Sequence, residues 1–194
     1  PLRTRGALVE LPHPKLGAFG HVRTPIDFSL DRCTPYRAPA LGEHNREIVL
    51  GGVNLGLYRD GTHGLAEVVE ALQELDRLDL VRLSSLEPML FTPELIERIS
   101  RCDKLCPHFH IPLQSGCDSV LERMGRHYQT SEFKELIASI LQTWPDVAIG
   151  LDVIAGFPSE TEAEFQITLD LLSELDIAYL HAFTFSRRWG TLAD

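Results

Sequence analysis

The sequence predicts an α/β fold in which a parallel sheet curves into a partial (β/α) barrel. Five short runs of strand-forming residues recur about 30 to 40 residues apart, and amphipathic helical patterns separate them. Repeated βα units place successive strands parallel, joined by right-handed crossovers. Polar residues follow every run, as the mouth of a barrel requires, and this favours a barrel over an open doubly wound sheet. The runs are 47–53, 80–84, 108–113, 148–154 and 179–185.

The intervening helices are predicted from apolar periodicity and from caps. Thr92 before Pro93 indicates the start of one helix. A capping box that begins at Ser159 or at Thr161 indicates the start of another. Two further helices have apolar faces formed by Leu65, Val68, Val69, Leu72 and Leu75, and by Phe133, Leu136, Ile137, Ile140 and Leu141.

Composition favours a cytoplasmic protein that does not enter a membrane. The 194 residues are 44% hydrophobic, which is enough for a sizeable core, and no apolar run reaches the 18 to 20 residues, roughly, that span a bilayer. No signal peptide is predicted, because Glu10 interrupts the first apolar residues. The formal net charge is −10, so a broad electropositive surface for nucleic acid is not expected.

The chain is predicted to consist of two segments with a boundary near residue 46. Residues 1–46 contain six of the 12 prolines and little periodicity, and we expect them to be irregular. They also hold seven of the 18 basic residues and only four of the 28 acidic ones, so the remaining body is acidic. Residues 47–194 carry the barrel pattern.

No metal site is predicted from the cysteines and histidines. Cys102 and Cys106 would form half of a site, but their spacing is also that of ordinary buried thiols near a helix end, which we prefer. His108 and His110 alternate along a strand and share a face, either as a metal pair or, as we prefer, as hydrogen-bonded core residues. The four cysteines, Cys33, Cys102, Cys106 and Cys117, lack a disulfide framework and are expected to be reduced.

Polar residues at the strand ends predict a ligand site. Asp152 interrupts an apolar run, and a buried carboxylate is costly without partners, so we expect it to have a function. Gln114 and Ser115 directly follow another run and are expected to contact ligand. Further polar, glycine or turn positions at the strand ends are Asn54, Ser85, Glu87, Gly156 and Phe157.

Other charged residues have less specific expectations. Glu160 is expected in the first turn of a helix, where the helix dipole stabilises its negative charge. Arg123, Arg126 and His127 either face RNA phosphates or form a solvated helix surface. Arg187 and Arg188 follow the last strand run and are slightly better candidates for phosphate contact.

Several segments resemble the radical S-adenosylmethionine superfamily, and within it the tRNA methylthiotransferases. The wording Cys-Pro-His-Phe-His at 106–110 and Leu-His-Ala-Phe at 180–183 is most similar to the branch that acts on N6-threonylcarbamoyladenosine, with the isopentenyl-adenosine branch a close second. The resemblance runs from about residue 45 to 194. Its segments are 47–56, 83–88, 105–118, 146–161 and 180–186, followed by Gly190 and Thr191.

This resemblance implies a six-unit partial barrel with a 4Fe-4S cluster on three cysteines and S-adenosylmethionine on the open iron. The implied reaction is methylthiolation at C2 of a hypermodified adenosine at tRNA position 37, with tRNA held through additional domains. By family position, Gln114 and Ser115 hold the ribose and amino-acid part of the cofactor, and Asp152 with the turn 156–158 lies beside the adenine. Further cofactor contacts are assigned to Asn54, Ser85 and Glu87.

The sequence departs from the family pattern at the cluster loop. Where the family has a first strand and C-x-x-x-C-x-x-C, residues 28–39 contain only Cys33. The first βα unit is therefore expected to be missing or altered, and this chain alone is expected to be inactive. The alternatives are a non-catalytic or truncated barrel that at most binds S-adenosylmethionine, and an ordinary phosphate-binding barrel, for which no glycine-rich phosphate loop is found.

Overall fold

The computed structural model describes residues 8–13, 17–22, 46–52, 54–187 and 190. The chain divides into two compact units, residues 1–45 and 46–194. In the first unit, β1 (Leu8–His13) and β2 (Gly17–Val22) form an antiparallel hairpin. The expectation of irregular chain did not anticipate this hairpin, in which Pro12 is tolerated because both strands of a two-stranded sheet are edges.

The second unit contains parallel strands in chain order. The strands β3 (Glu47–Leu50) and β4 (Leu80–Leu83) pair with each other, and β5 (His108–Gln114), β6 (Ala148–Ala155) and β7 (Tyr179–Thr184) form a three-stranded sheet in that order. A doubly wound sheet reverses its strand order, and among the described strands no reversal occurs. The predicted α/β fold with parallel, barrel-like strand order is confirmed, although the described strands do not close into a barrel.

The two parallel sheets are joined just before β5. The residue pair Val81 and Leu105 forms a parallel bridge, and the Val81 N–H donates to the carbonyl of Lys104 at 2.7 Å. Farther along, the Leu86 N–H donates to the carbonyl of His110 at 3.1 Å. These bonds bring the end of β4 alongside β5, so the polar residues after both strands lie at the same edge.

Helices connect the strands and confirm the predicted caps. The Thr92 hydroxyl accepts the Leu95 N–H at 3.1 Å, and Thr161 forms a reciprocal capping box with Glu164. The short helix α3, which ends at Arg123, was given no bounds by the sequence. The helices are α1 (Leu65–Gln73), α2 (Pro93–Ile99), α3 (Asp118–Arg123), α4 (Thr130–Thr143) and α5 (Glu162–Glu174), with 3₁₀ turns at Leu55–Leu57 and Pro88–Leu90.

The core lies between the sheet and its helices. Alternate residues of β5 and β6 point into it, and α4 covers them with an apolar face. The strand β3 ends at Leu50, earlier than the predicted residue 53, because Gly51 and Gly52 follow. Buried apolar side chains on these elements include Phe109, Ile111, Leu113, Ile149, Leu151, Phe133, Ile137 and Ile140.

An ion-pair network joins α1 to α2 and predicts a dependence of stability on pH. The Arg98 guanidinium binds the carboxylates of Glu67 and Glu70 at 2.5 Å each. The Gly64 N–H and then Arg98 lower the pKa of Glu67 from 4.5 to about 2. Because this pKa is lowered, the contribution of Glu67 is present above pH 4.5 and is lost as pH falls toward 2.

We therefore expect Glu67→Gln to be less stable than the wild type at pH 6, roughly, and the difference to shrink toward pH 2 to 3, roughly. Urea unfolding followed by circular dichroism at several pH values measures this. The control is Glu122→Gln, which removes an exposed carboxylate from α3. A difference that is constant across the pH range would contradict the prediction.

Candidate functional site

A pocket of about 420 Å³ lies where β5, β6 and β7 end. Ligands of parallel α/β folds bind at this edge, because helices cover the faces of the sheet. Of the predicted site residues, Gln114 and Asp152 line the pocket. The other lining residues are Ile154, Phe183, Thr184, Phe185 and Ser186.

Gln114 reaches the pocket through a distorted strand end. The register between β5 and β6 shifts between Pro112 and Gln114, and Gln114 has a φ of 67°. This left-handed conformation costs a residue other than glycine about 1–3 kcal/mol. Strain of this kind is concentrated at ligand sites, so the distortion supports the predicted role of Gln114.

Asp152 lies in the central strand between two histidines. Its Oδ2 is 2.9 Å from Nε2 of His110 on β5, and its Oδ1 is 3.3 Å from Nδ1 of His181 on β7. Both are ion-pair contacts, and the buried Oδ1 has no hydrogen-bond partner. This carboxylate therefore retains capacity to accept a further bond.

Tyr179 connects the histidines of β5. Its hydroxyl lies 2.9 Å from Nε2 of His108 and 3.1 Å from Nδ1 of His110, which gives these histidines the hydrogen bonds expected from the sequence. Burial, and then the Asp152 carboxylate, raises the pKa of Tyr179, so the hydroxyl stays protonated. Burial, and then the positive charge of Arg82, lowers the pKa of His108.

The sequence analysis missed Tyr179, although one signal for it exists. Gly150 pairs with Tyr179 across the sheet, and a Cβ at Gly150 would lie 2.0 Å from the tyrosine ring. A glycine inside an otherwise apolar strand often marks such a close approach. Any larger residue at position 150 would therefore clash with the Tyr179 ring.

The turn after β6 borders the pocket and corrects the role of Glu160. The Glu160 carboxylate accepts the N–H groups of Gly156 at 2.6 Å and Phe157 at 3.3 Å, and it precedes the N-cap of α5 rather than lying in the first turn. Gly156 has a φ of 76°, which suits glycine. Phe157 packs edge-on against Phe185, a pocket residue, with ring centroids 5.3 Å apart.

Ser115 is buried away from the pocket. Its hydroxyl lies 3.3 Å from the Thr168 hydroxyl and accepts the Cys117 N–H at 3.2 Å. Because the side chain is fully buried, Ser115 fixes the loop after β5 to α5 in this structure. The expected direct contact with a ligand would require this packing to open.

The remaining predicted site residues lie at neighbouring strand ends. Asn54 follows β3 and is exposed, and Ser85 follows β4 and is also exposed. Glu87 binds the guanidinium of Arg126 at 3.0 Å. None of these residues is among those that line the 420 Å³ pocket.

Two of the arginines for which either RNA phosphates or a solvated helix surface were expected are engaged in ion pairs. Arg123 binds Glu164 at 3.0 Å, which raises the pKa of Arg123 and, together with Ser119 and Thr161, lowers the pKa of Glu164. Arg126 binds Glu87. Both arginines therefore already have a carboxylate partner, Arg187 is exposed, and Arg188 lies outside the described residues.

A second pocket, of about 250 Å³, lies between the starts of α1 and α2. It contains the ion-paired Arg98 and Glu67, together with Arg59 and Glu94. Because its main charged groups already neutralise one another, it offers fewer unpaired polar groups to a ligand than the pocket at the strand ends does.

The described cysteines do not form a cluster site. Burial raises the pKa of Cys102, which keeps this thiol protonated, whereas metal ligation needs a thiolate. Cys106 Sγ accepts a hydrogen bond from Arg82 at 3.1 Å, and Cys117 is buried beside Ser119. Across residues 46–52 and 54–187, no three cysteines converge, and Cys33 lies outside the described residues.

No helix in the described ranges is long and apolar enough to cross a bilayer. This finding is in line with the charged and half-exposed residues that each of the longer helices carries.

Comparison with known proteins shows that this chain is similar to two tRNA-modifying enzymes. Over 149 residues it is 42% identical to the threonylcarbamoyladenosine tRNA methylthiotransferase MtaB of Thermotoga maritima, covering 76% of this chain and 34% of that protein. Over 156 residues it is 36% identical to a tRNA-2-methylthio-N(6)-dimethylallyladenosine synthase of Clostridium botulinum (strain Okra), covering 79% and 35%. The chain thus spans about a third of the length of these relatives.

A solved structure shares the fold of this chain, and a family profile matches its sequence. The cobalamin-dependent S-adenosylmethionine radical enzyme OxsB, in its apo form, superposes with a TM-score of 0.50 at 12% identity, over 66% of this chain and 19% of that one, which shows a shared fold. The profile of the radical SAM superfamily, whose members use S-adenosylmethionine and a 4Fe-4S cluster, matches residues 37–172. The chain therefore belongs to the radical SAM superfamily.

Proposed function

We propose that this chain is the S-adenosylmethionine-binding part of an enzyme that modifies tRNA by radical chemistry. The observation that carries the proposal is the pocket at the ends of β5, β6 and β7, lined by Gln114 and Asp152. The relatives named above, both tRNA-modifying enzymes, support tRNA as the substrate. The finer proposal is methylthiolation at C2 of a hypermodified adenosine at tRNA position 37.

The pocket suits a nucleoside with charged and polar groups. The unsatisfied Oδ1 of Asp152 can accept a hydroxyl or amine, and the amide of Gln114 can both donate and accept. Phe183 and Phe185 supply an apolar wall for a base. When bound, S-adenosylmethionine supplies a sulfonium whose reductive cleavage starts radical chemistry.

We propose that tRNA is held mainly by other parts of the enzyme. The formal net charge of this chain is −10, and Arg123 and Arg126 are already ion-paired. Affinity for nucleic acid depends on cationic contacts to phosphates, which this acidic unit offers sparsely. The relatives are about three times as long as the matched stretch, which leaves room for such contacts.

We also propose that this chain alone does not start radical chemistry. Three thiolates hold a 4Fe-4S cluster with one open iron, and the described residues do not bring three cysteines together. A barrel that only binds S-adenosylmethionine is the second candidate function, and the same observation favours it. Anaerobic reconstitution with iron and sulfide, followed by iron quantitation, separates a chain that can start radical chemistry from one that only binds S-adenosylmethionine. About four irons per chain would contradict the proposal that this chain alone is inactive.

Binding of S-adenosylmethionine tests the pocket itself. We expect Asp152→Asn and Gln114→Ala each to weaken binding about tenfold, because each removes a hydrogen bond to a polar or charged group. Equilibrium dialysis with radiolabelled S-adenosylmethionine measures this, with the exposed α4 substitution Gln142→Ala as the matched control. Equal affinity in all four proteins would refute the proposed site.

A further inference from the structure

We propose that His110, Asp152 and His181 form a binding site for one divalent transition-metal ion, with zinc as the reference ion. The three residues occupy three adjacent parallel strands, β5, β6 and β7. Their ligand atoms all lie within 4.8 Å of one another. Two imidazoles and one carboxylate form a donor set that binds Zn²⁺ and Fe²⁺ with open coordination positions. The inference goes beyond the proposed function; it shares Asp152 with the proposed S-adenosylmethionine pocket and adds His110 and His181.

The distances between ligand atoms suit a common metal ion. Metal–nitrogen and metal–oxygen bonds of about 2.0–2.1 Å place neighbouring ligand atoms about 2.8–3.0 Å apart in octahedral geometry and about 3.3–3.4 Å apart in tetrahedral geometry. The Nε2 of His110 is 2.9 Å from Oδ2 of Asp152, and the Nδ1 of His181 is 3.3 Å from Oδ1. Small rotations of the side chains therefore bring the three groups around one ion.

Asp152 carries the second, independent observation. Its Oδ1 is buried and lacks a hydrogen bond, although it faces an imidazole nitrogen. A buried acceptor without a partner is unfavourable, and more so when the group is charged. A bound cation would satisfy this oxygen and neutralise the carboxylate.

Access to the site is open from the pocket side. The side chain of His181 is 55% exposed, and Asp152 itself lines the 420 Å³ pocket. An incoming ion, and the water molecules that complete its coordination, can therefore reach the three ligands without unfolding the sheet.

Tyr179 provides the outer contact that metal-binding histidines usually have. Its hydroxyl lies 3.1 Å from Nδ1 of His110, the nitrogen opposite the proposed ligand atom. Without metal, a proton on Nε2 of His110 would face the Asp152 carboxylate 2.9 Å away, and Nδ1 would accept from the tyrosine. With metal, the proton resides on Nδ1 and donates to the tyrosine oxygen, so Nε2 is available without any change in the charge of the imidazole.

His108 offers a matched control on the same strand. Its Nε2 lies 2.9 Å from the Tyr179 hydroxyl, so it shares the tyrosine but is not one of the three ligands. Replacing His108 removes a histidine of the same network and leaves the proposed donor set complete.

The test is titration of the chain with zinc by calorimetry, without S-adenosylmethionine. We expect one ion per chain, more than about tenfold weaker binding in His181→Gln and Asp152→Asn, and about tenfold weaker binding in Tyr179→Phe. His108→Gln should bind zinc with an affinity within about twofold of that of the wild type. Loss of an outer contact to a metal ligand would weaken zinc binding by more than this. Circular dichroism of each variant checks the fold, and exposed His181 is the substitution least able to disturb it.

Cobalt in place of zinc identifies the ligands. Nitrogen and oxygen ligation gives visible bands without a thiolate charge-transfer band, whereas ligation by Cys102, Cys106 or Cys117 would give that band and overturn the proposal. Absence of binding, or equal affinity in the wild type and His181→Gln, would overturn it as well.

The outcome is distinguishable from that for the proposed function. His181 is not among the residues that line the pocket, so His181→Gln should lose zinc and retain S-adenosylmethionine binding. Loss of S-adenosylmethionine binding in Gln114→Ala with zinc affinity retained would show that the two sites are separable.

Discussion

Replacing Phe109 with alanine is expected to lower the free energy of unfolding by about 3–5 kcal/mol. Phe109 lies on β5 and is 1% exposed. Its ring packs edge-on against Phe91, with centroids 5.6 Å apart, and at a tilt against Trp144, with centroids 5.0 Å apart. Alanine would leave a cavity between β5, Phe91 and Trp144, and urea unfolding followed by circular dichroism measures the loss.

Two controls define the origin of this effect. Phe109→Leu keeps most of the apolar volume and should cost less than the alanine substitution. Phe183→Ala removes the same side chain from a position that is 52% exposed, so it should change stability by about 0.5 kcal/mol or less. Similar losses at Phe109 and Phe183 would show that burial does not decide the effect.

The elements of the second unit were predictable because their signals are local. Strand-forming runs, apolar faces three and four residues apart, and the Thr92 and Thr161 caps depend on neighbours in sequence. The hairpin of β1 and β2 was not anticipated, because Pro12 and the surrounding prolines argue against strands, whereas an edge strand tolerates proline. Strand ends were less exact, as β3 shows.

Residues of the candidate site were predictable only where their type is unusual among their neighbours in the sequence. Asp152 in an apolar strand and Gln114 at a strand end stand out in the sequence, and both line the pocket. The role of Ser115 depends on Thr168, and the role of Tyr179 depends on His108 and His110, which lie far away in the chain. Such partners are set by the packing of the sheet, so local patterns do not reveal them.

Gly116→Ala is expected to destabilise the protein by about 1–3 kcal/mol and to weaken the site. A Cβ at Gly116 would lie 2.7 Å from Cα of Thr168 and 3.0 Å from the Leu171 side chain. The closer of these atoms is backbone of α5, so the loop after β5 must move away from the helix. That movement breaks the 3.0 Å hydrogen bond from the Gly116 N–H to the Thr168 hydroxyl and shifts Gln114.

The expected result of Gly116→Ala is thus a lower urea midpoint together with weaker S-adenosylmethionine binding, although the residue itself does not line the pocket. Gly51→Ala is the matched control, since no atom lies within 4 Å of a Cβ at that position. It should change stability by about 0.5 kcal/mol or less. Full ligand affinity in a destabilised Gly116→Ala would mean that Gln114 keeps its position independently of α5, and that contact between the loop and the helix supports the fold alone.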